Sequence, residues 1–93
     1  INILPEIVDK VGKLIEVHID GGIRSGQDVV KAMCLGAKGT YIGRAFLYGL
    51  GALGKEGVTK ALDIIKTEAD MTMALCGRRD VHDLNHDNIY TQK

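Results

Sequence analysis

The chain has no tryptophan, one phenylalanine and three tyrosines among its 93 residues. That scarcity excludes a stacking surface for nucleic-acid bases. Net charge is missing too: twelve basic side chains stand against twelve acidic ones, so no field steers the chain toward nucleic acid or an acidic membrane. Cysteine occurs only at Cys34 and Cys76, without CxxC spacing. This speaks against a disulfide framework or a zinc site and predicts buried, inert thiols in a reducing compartment. No apolar run reaches membrane-spanning length, and no signal-peptide pattern or internal repeat is present.

What the chain does have is glycine, 12 residues of it, and the glycines gather at two corners. The first corner is Asp20, Gly21, Gly22, Ile23 and Arg24, after residues 15–19, where Ile15, Val17 and Ile19 alternate with Glu16 and His18 as in a strand with one face against helices. Adjacent glycines let the backbone turn sharply and remove side chains that would keep an anion from the amides. Arg24 adds a planar, permanently charged fork able to hold two phosphate oxygens. The second corner is Gly43 and Arg44, where a short strand over residues 40–42 opens into a helical run over residues 45–53. A helix N-terminus carries unpaired amides and partial positive charge, which suits an anion.

Between the corners, Ser25 is a plausible N-cap with Asp28 at capping-box spacing. Val29, Val30, Met33, Cys34 and Ala37 then fall on one side of a helix that Gly36 stops. Strand, helix and strand in this order imply parallel strands with a right-handed crossover, so both corners open on the same edge. The pattern describes a phosphate site. The plainer readings are a turn cap for Asp20 and a surface ion pair for Arg44.

The flanks are helical. Residues 1–11 read as a helix with Pro5 in a favoured first-turn position and Ile7, Val8 and Val11 on one face. Residues 55–75 place Val58, Ala61, Leu62, Ile65, Ala69, Thr72, Met73 and, just beyond, Cys76 on one side, with Lys60, Asp63, Lys66, Glu68 and Asp70 largely on the other. Gly77 ends that helix, and a polar tail follows with Val81, Leu84 and Ile89 as its anchors. His82 and His86, four apart among aspartates, would face one metal only on a helix, and no third ligand is evident, so a solvated tail is the expected reading. His18, mid-strand on the face of Asp20, reads as a hydrogen-bonded core histidine beneath the site rather than a base. The chain begins with Ile1, and two parallel strands cannot bury both faces or close their edges. Both features predict a piece of a longer chain.

The residues also carry a family likeness. The run from Asp20-Gly21-Gly22-Ile23-Arg24-Ser25-Gly26-Gln27-Asp28 through Val29-Val30-Lys31-Ala32, then Leu35-Gly36-Ala37 and Ile42-Gly43-Arg44, resembles the C-terminal part of the FMN-dependent α-hydroxy-acid dehydrogenases. That family includes glycolate oxidase, L-lactate dehydrogenase and mandelate dehydrogenase. The likeness continues through Gly57-Val58, Met71-Thr72-Met73-Ala74-Leu75-Cys76-Gly77, Asp83-Leu84 and Ile89, over nearly the whole chain.

This resemblance implies an α/β chain, the C-terminal fragment of a (β/α)8 TIM barrel that supplies strands 7 and 8 with their helices, all 93 residues lying in one barrel domain. It implies that Asp20, Gly21, Gly22, Ile23 and Arg24 hold the ribityl chain and phosphate of FMN, Asp20 accepting from ribityl hydroxyls, and that Gly43 and Arg44 complete the cradle. The family's general-base histidine and substrate-carboxylate arginine lie upstream of the matched region, so no catalytic residue and no metal ligand is expected here. The implied partners are a 2-hydroxy acid, the rest of the barrel and further copies of the full-length chain; the implied location is the cytoplasm, or the inner face of a membrane in a bacterial parent. Two other readings stay open: another phosphate-binding barrel such as an IMP dehydrogenase-like enzyme, and a non-catalytic fragment that associates with itself.

Overall fold

Pro5 sits in the first turn of α1 (Leu4–Val11), which the computed structural model shows within the residues it describes, 3–89. Residues 1 and 2 of the expected first helix lie outside that range. The amides of Leu14 and Ile15 still bond back to the Val11 carbonyl, at 2.9 and 3.0 Å, so the chain is leaving a helix where alternation suggested a strand. Strand β1 (His18–Asp20) therefore starts three residues later than the pattern implies. Asp20 belongs to the strand itself.

After β1 come α2 (Gly26–Cys34), β2 (Gly39–Tyr41), α3 (Arg44–Leu53) and α4 (Lys55–Leu75), then two short 3-10 turns, Val81–Asp83 and His86–Asn88. The two strands pair in parallel with His18 opposite Gly39, Ile19 opposite Thr40 and Asp20 opposite Tyr41. A further bond from the Lys38 amide to the Val17 carbonyl, 2.7 Å, extends the ladder backward. Both strands thus end at one level. β2 lies one residue earlier than expected, and Ile42 has already left it.

Ser25, in extended conformation, caps α2 by accepting from the Asp28 amide at 3.2 Å. Gly36 ends the helix at φ 103°, with the amides of Gly36 and Ala37 returned to Met33 and Ala32. The same arrangement closes α4 at Gly77, where the amides of Gly77 and Arg78 reach Ala74 and Met73.

The core is in two parts, with α2 between them. Leu4, Ala32 and Ala37 are buried together with Val8, Val17, Ile19 and Leu35 packed around them, joining α1 and β1 to one side of α2. Val30, Cys34, Met73 and Leu84 form the other part with Met33, Ala69 and Ile89, joining the opposite side of α2 to α4 and the tail. One apolar side was expected of this helix; it buries two. In α4, Gly57 and Met73 are buried while Leu62 is 50% exposed, against the expected inward role of Leu62. Helices α3 and α4 cross closely, a Cβ at Gly49 or Gly57 meeting the other glycine's backbone.

Candidate functional site

Because Ile19 packs on the cluster of Leu4 and Ala32, its strand neighbours His18 and Asp20 project to the opposite side of the sheet. His18 is exposed, where a hydrogen-bonded core histidine was expected; the hydrogen bond is present and the burial is not. Its ring stands beside Gly39, pairs with Glu16 at 3.2 Å, and lies 5.7 Å from the ring of Tyr41.

At the level of Asp20 both strands end, and the parallel register brings their loops together. Asp20, Gly21, Gly22, Ile23, Arg24, Gly43 and Arg44 line one cavity of about 190 Å³. These are the seven residues singled out from the sequence. Ile23 differs from the others, since it is only 5% exposed and its side chain belongs to the interior.

Gly21 and Gly22 adopt φ of 100° and 76°, conformations costly for any residue with a Cβ. A Cβ on Gly21, Gly22 or Gly43 would meet no protein atom within 4 Å. At Gly43 φ is −122°, so neither backbone nor packing requires glycine there, and a side chain would enter open space at a residue that lines the cavity. Arg24 and Arg44 are exposed, and neither takes part in a salt bridge among the described residues.

The two helix starts beside the cavity differ in what they leave free. At α2 the amide of Arg24 donates to Asp28 Oδ2 at 3.0 Å, that of Asp28 to Ser25 Oγ, and that of Gly26 to Glu68 Oε1 at 3.3 Å. Two amides of its first turn, those of Gly26 and Asp28, are thus taken by side-chain oxygens of its own chain. The start of α3 has no side-chain cap and no acidic residue in its first turn, so its amides and partial positive charge stay available. An anion held here would rest on α3, the glycine corner and the two guanidinium groups.

Glu68 is the contributor that the sequence does not reveal. The capping box expected of Ser25 and Asp28 forms on one side, where the Asp28 amide donates to Ser25 Oγ, while the Asp28 carboxylate takes the amide of Arg24 rather than that of Ser25. Glu68 was placed on the solvent side of α4, whereas it is half-buried against Gly26. The signal was Gly26 itself, a glycine inside a helix start, where a Cβ would collide with the Ala69 amide and the Ile65 carbonyl of α4. His82 and His86 fall on separate 3-10 turns, and no group of three or more metal-ligating side chains is gathered among the described residues. Cys34 is buried, which pushes its thiol above the ordinary 9.0; neighbouring Cys76 raises it further and Arg78 pulls it down.

A glycine corner and an uncapped helix start, side by side at the carboxyl ends of two parallel strands and each bringing an arginine, make an α/β segment with a candidate anion site. Residues 1–91 match the FMN-dependent dehydrogenase family, and the chain belongs to that family. It is 52% identical over 82 residues to an L-lactate dehydrogenase of Caulobacter vibrioides, covering 88% of this chain and 21% of the relative. It is 48% identical over 89 residues to the pre-mycofactocin synthase of Mycolicibacterium smegmatis, 96% of this chain and 22% of that protein. A soluble mutant of the membrane-associated (S)-mandelate dehydrogenase from Pseudomonas putida superimposes with a TM-score of 0.92 at 41% identity, over 98% of this chain and 26% of its own. The solved structures matched are TIM-barrel flavoenzymes. The chain spans about a fifth to a quarter of the length of these relatives. No helix among the described residues is long and apolar enough to cross a membrane.

Proposed function

We propose that this segment is the phosphate- and ribityl-binding part of an FMN-dependent oxidoreductase that oxidises an L-2-hydroxy acid to the 2-oxo acid, and that β1 and β2 are strands 7 and 8 of its barrel. The observation that carries the reading is the convergence of two strand ends on one cavity, lined by two arginines that form no ion pair among the described residues and by three glycines beside which a Cβ would meet open space. Barrels of this kind bind phosphate with the loops after strands 7 and 8 and a helix start. At 190 Å³ the cavity is smaller than the roughly 300 Å³ at which small-molecule pockets begin. It suits the end of a cofactor rather than the whole of it.

In this reading Arg24 and Arg44 bind the phosphate through charge-assisted hydrogen bonds, and the free amides at the start of α3 add to them. The glycines let the backbone approach, and Asp20, at the strand end, accepts from ribityl hydroxyls. FMN, when bound, supplies the redox chemistry, taking up the two electrons that leave the hydroxy acid. None of this chain's residues has a catalytic role; they anchor and orient. The base and the substrate-carboxylate arginine come from the remaining part of the barrel. The family match favours this reading over an IMP dehydrogenase-like barrel.

The test is the visible spectrum of the full-length protein before and after L-lactate, glycolate or mandelate is added without oxygen. A flavin spectrum that bleaches with one of them is the expected result. A flavin that none of them reduces would retain the cradle and remove the hydroxy-acid assignment. A folded protein that takes up no flavin would remove both.

A further inference from the structure

We infer that Glu68, a residue of α4 with no place in the cavity, is a positioning residue for the phosphate arm: through the Gly26 amide it holds the backbone from which Arg24 reaches the cofactor. The inference rests on the phosphate reading above and deepens it. Arg24 carries its guanidinium on a loop whose own amide is taken by Asp28 of the helix that follows, α2, and whose Ile23 is buried. The tie to α4 comes two residues later. Gly26 is buried, its amide donates to Glu68 Oε1 at 3.3 Å, and its α-carbon lies so close to the backbone of Ile65 and Ala69 that any side chain would collide with it. The contact fixes the height and direction of the first turn of α2 against the 21-residue α4. Arg24 projects from the fixed end.

Charge alone predicts the opposite of what positioning predicts. Removing a carboxylate from the neighbourhood of an anion site should tighten FMN. Loss of the tie lets the corner drift, and displacement of about an ångström is enough to spoil a two-pronged contact. FMN should then bind more weakly, and only by way of Arg24.

A double-mutant cycle on the full-length protein tests this, with FMN dissociation constants read from quenching of flavin fluorescence. Glu68→Ala should weaken FMN about tenfold, roughly 1.4 kcal/mol, both in the native background and in Arg44→Ala. In the Arg24→Ala background the same change should shift affinity by less than about twofold. Glu68→Gln keeps an acceptor oxygen and should recover most of the affinity. If Glu68→Ala does not fold, Glu68→Asp, which draws the carboxylate back by one methylene, takes its place in the cycle.

Weakening of equal size with and without Arg24 would make Glu68 a merely structural residue and overturn the inference, as would unchanged or tighter binding in Glu68→Ala. If neither Arg24→Ala nor Arg44→Ala changes FMN affinity, the phosphate reading itself fails and takes the inference with it.

Discussion

Gly26 and Gly43 are one residue type under opposite constraints. Gly26 is glycine because α4 leaves it no room, so Gly26→Ala should destabilise the folded protein by about 1–3 kcal/mol in urea unfolding. Gly43 has open space beside it and an ordinary negative φ, so Gly43→Ala should cost at most about 1 kcal/mol, the loss at an N-cap, while FMN affinity falls more steeply. A cofactor-bound protein that tolerated a side chain at Gly43 without losing affinity would place the phosphate elsewhere. Cys34 gives a pH test. Its pKa is raised on folding, so the folded chain keeps its proton where the unfolded chain has lost it. The associated stability is complete below pH 9.0, the ordinary value, and is lost as pH rises through the higher folded value. Cys34→Ala should flatten that alkaline decline in unfolding measurements, and in the native protein Cys76, only half-buried, should be alkylated first. Six of the seven cavity residues were legible because each carries its signal in its own type, and Ile23 came with them by its place between Gly22 and Arg24. Glu68 was not, since a carboxylate at helical spacing looks the same whether it meets water or an amide of another helix.

Among the elements, length decided what the sequence could show. The apolar and polar residues of α4 repeat for nearly six turns, and its limits were read correctly at both ends. Strands β1 and β2 have three residues each, too few for alternation to define, and the amides of Leu14 and Ile15 turned an alternating run into the exit from a helix. The parallel order was still legible, because it follows from strand, helix and strand in sequence. The contrast between a closed α2 start and an open α3 start was not, as it depends on which oxygens reach which amides. The crossing of α3 and α4 at Gly49 and Gly57 offers the test at this scale. Gly49→Val should wedge the helices apart and cost about 1–3 kcal/mol of stability by thermal or urea unfolding. A neutral substitution would mean that the two helices do not meet through those glycines.

At the scale of the whole molecule, the segment leaves much of its apolar surface uncovered. Leu14 and Ile15 before β1, and Leu47, Tyr48, Leu50 and Leu53 on α3, are all at least 46% exposed. No large side chain is fully enclosed among the described residues, and the radius of gyration is 14.1 Å against about 13 Å for a compact 100-residue domain. In the barrel proposed above, the remainder of the domain would cover such faces. The isolated 93 residues should therefore bind a hydrophobic dye and grow in size with concentration, whereas the full-length protein should do neither. A stable, dye-silent monomer of the segment would show that its faces need no such cover. If the two corners grip a phosphate, as proposed, the most direct measurement compares FMN with riboflavin, which lacks that group. The native full-length protein should bind FMN far more tightly than riboflavin, and Arg24→Ala with Arg44→Ala should erase most of that preference, about 1.5–3 kcal/mol for each charged hydrogen-bonding partner lost, while riboflavin binding hardly changes. A preference that survives the loss of both arginines would contradict the account.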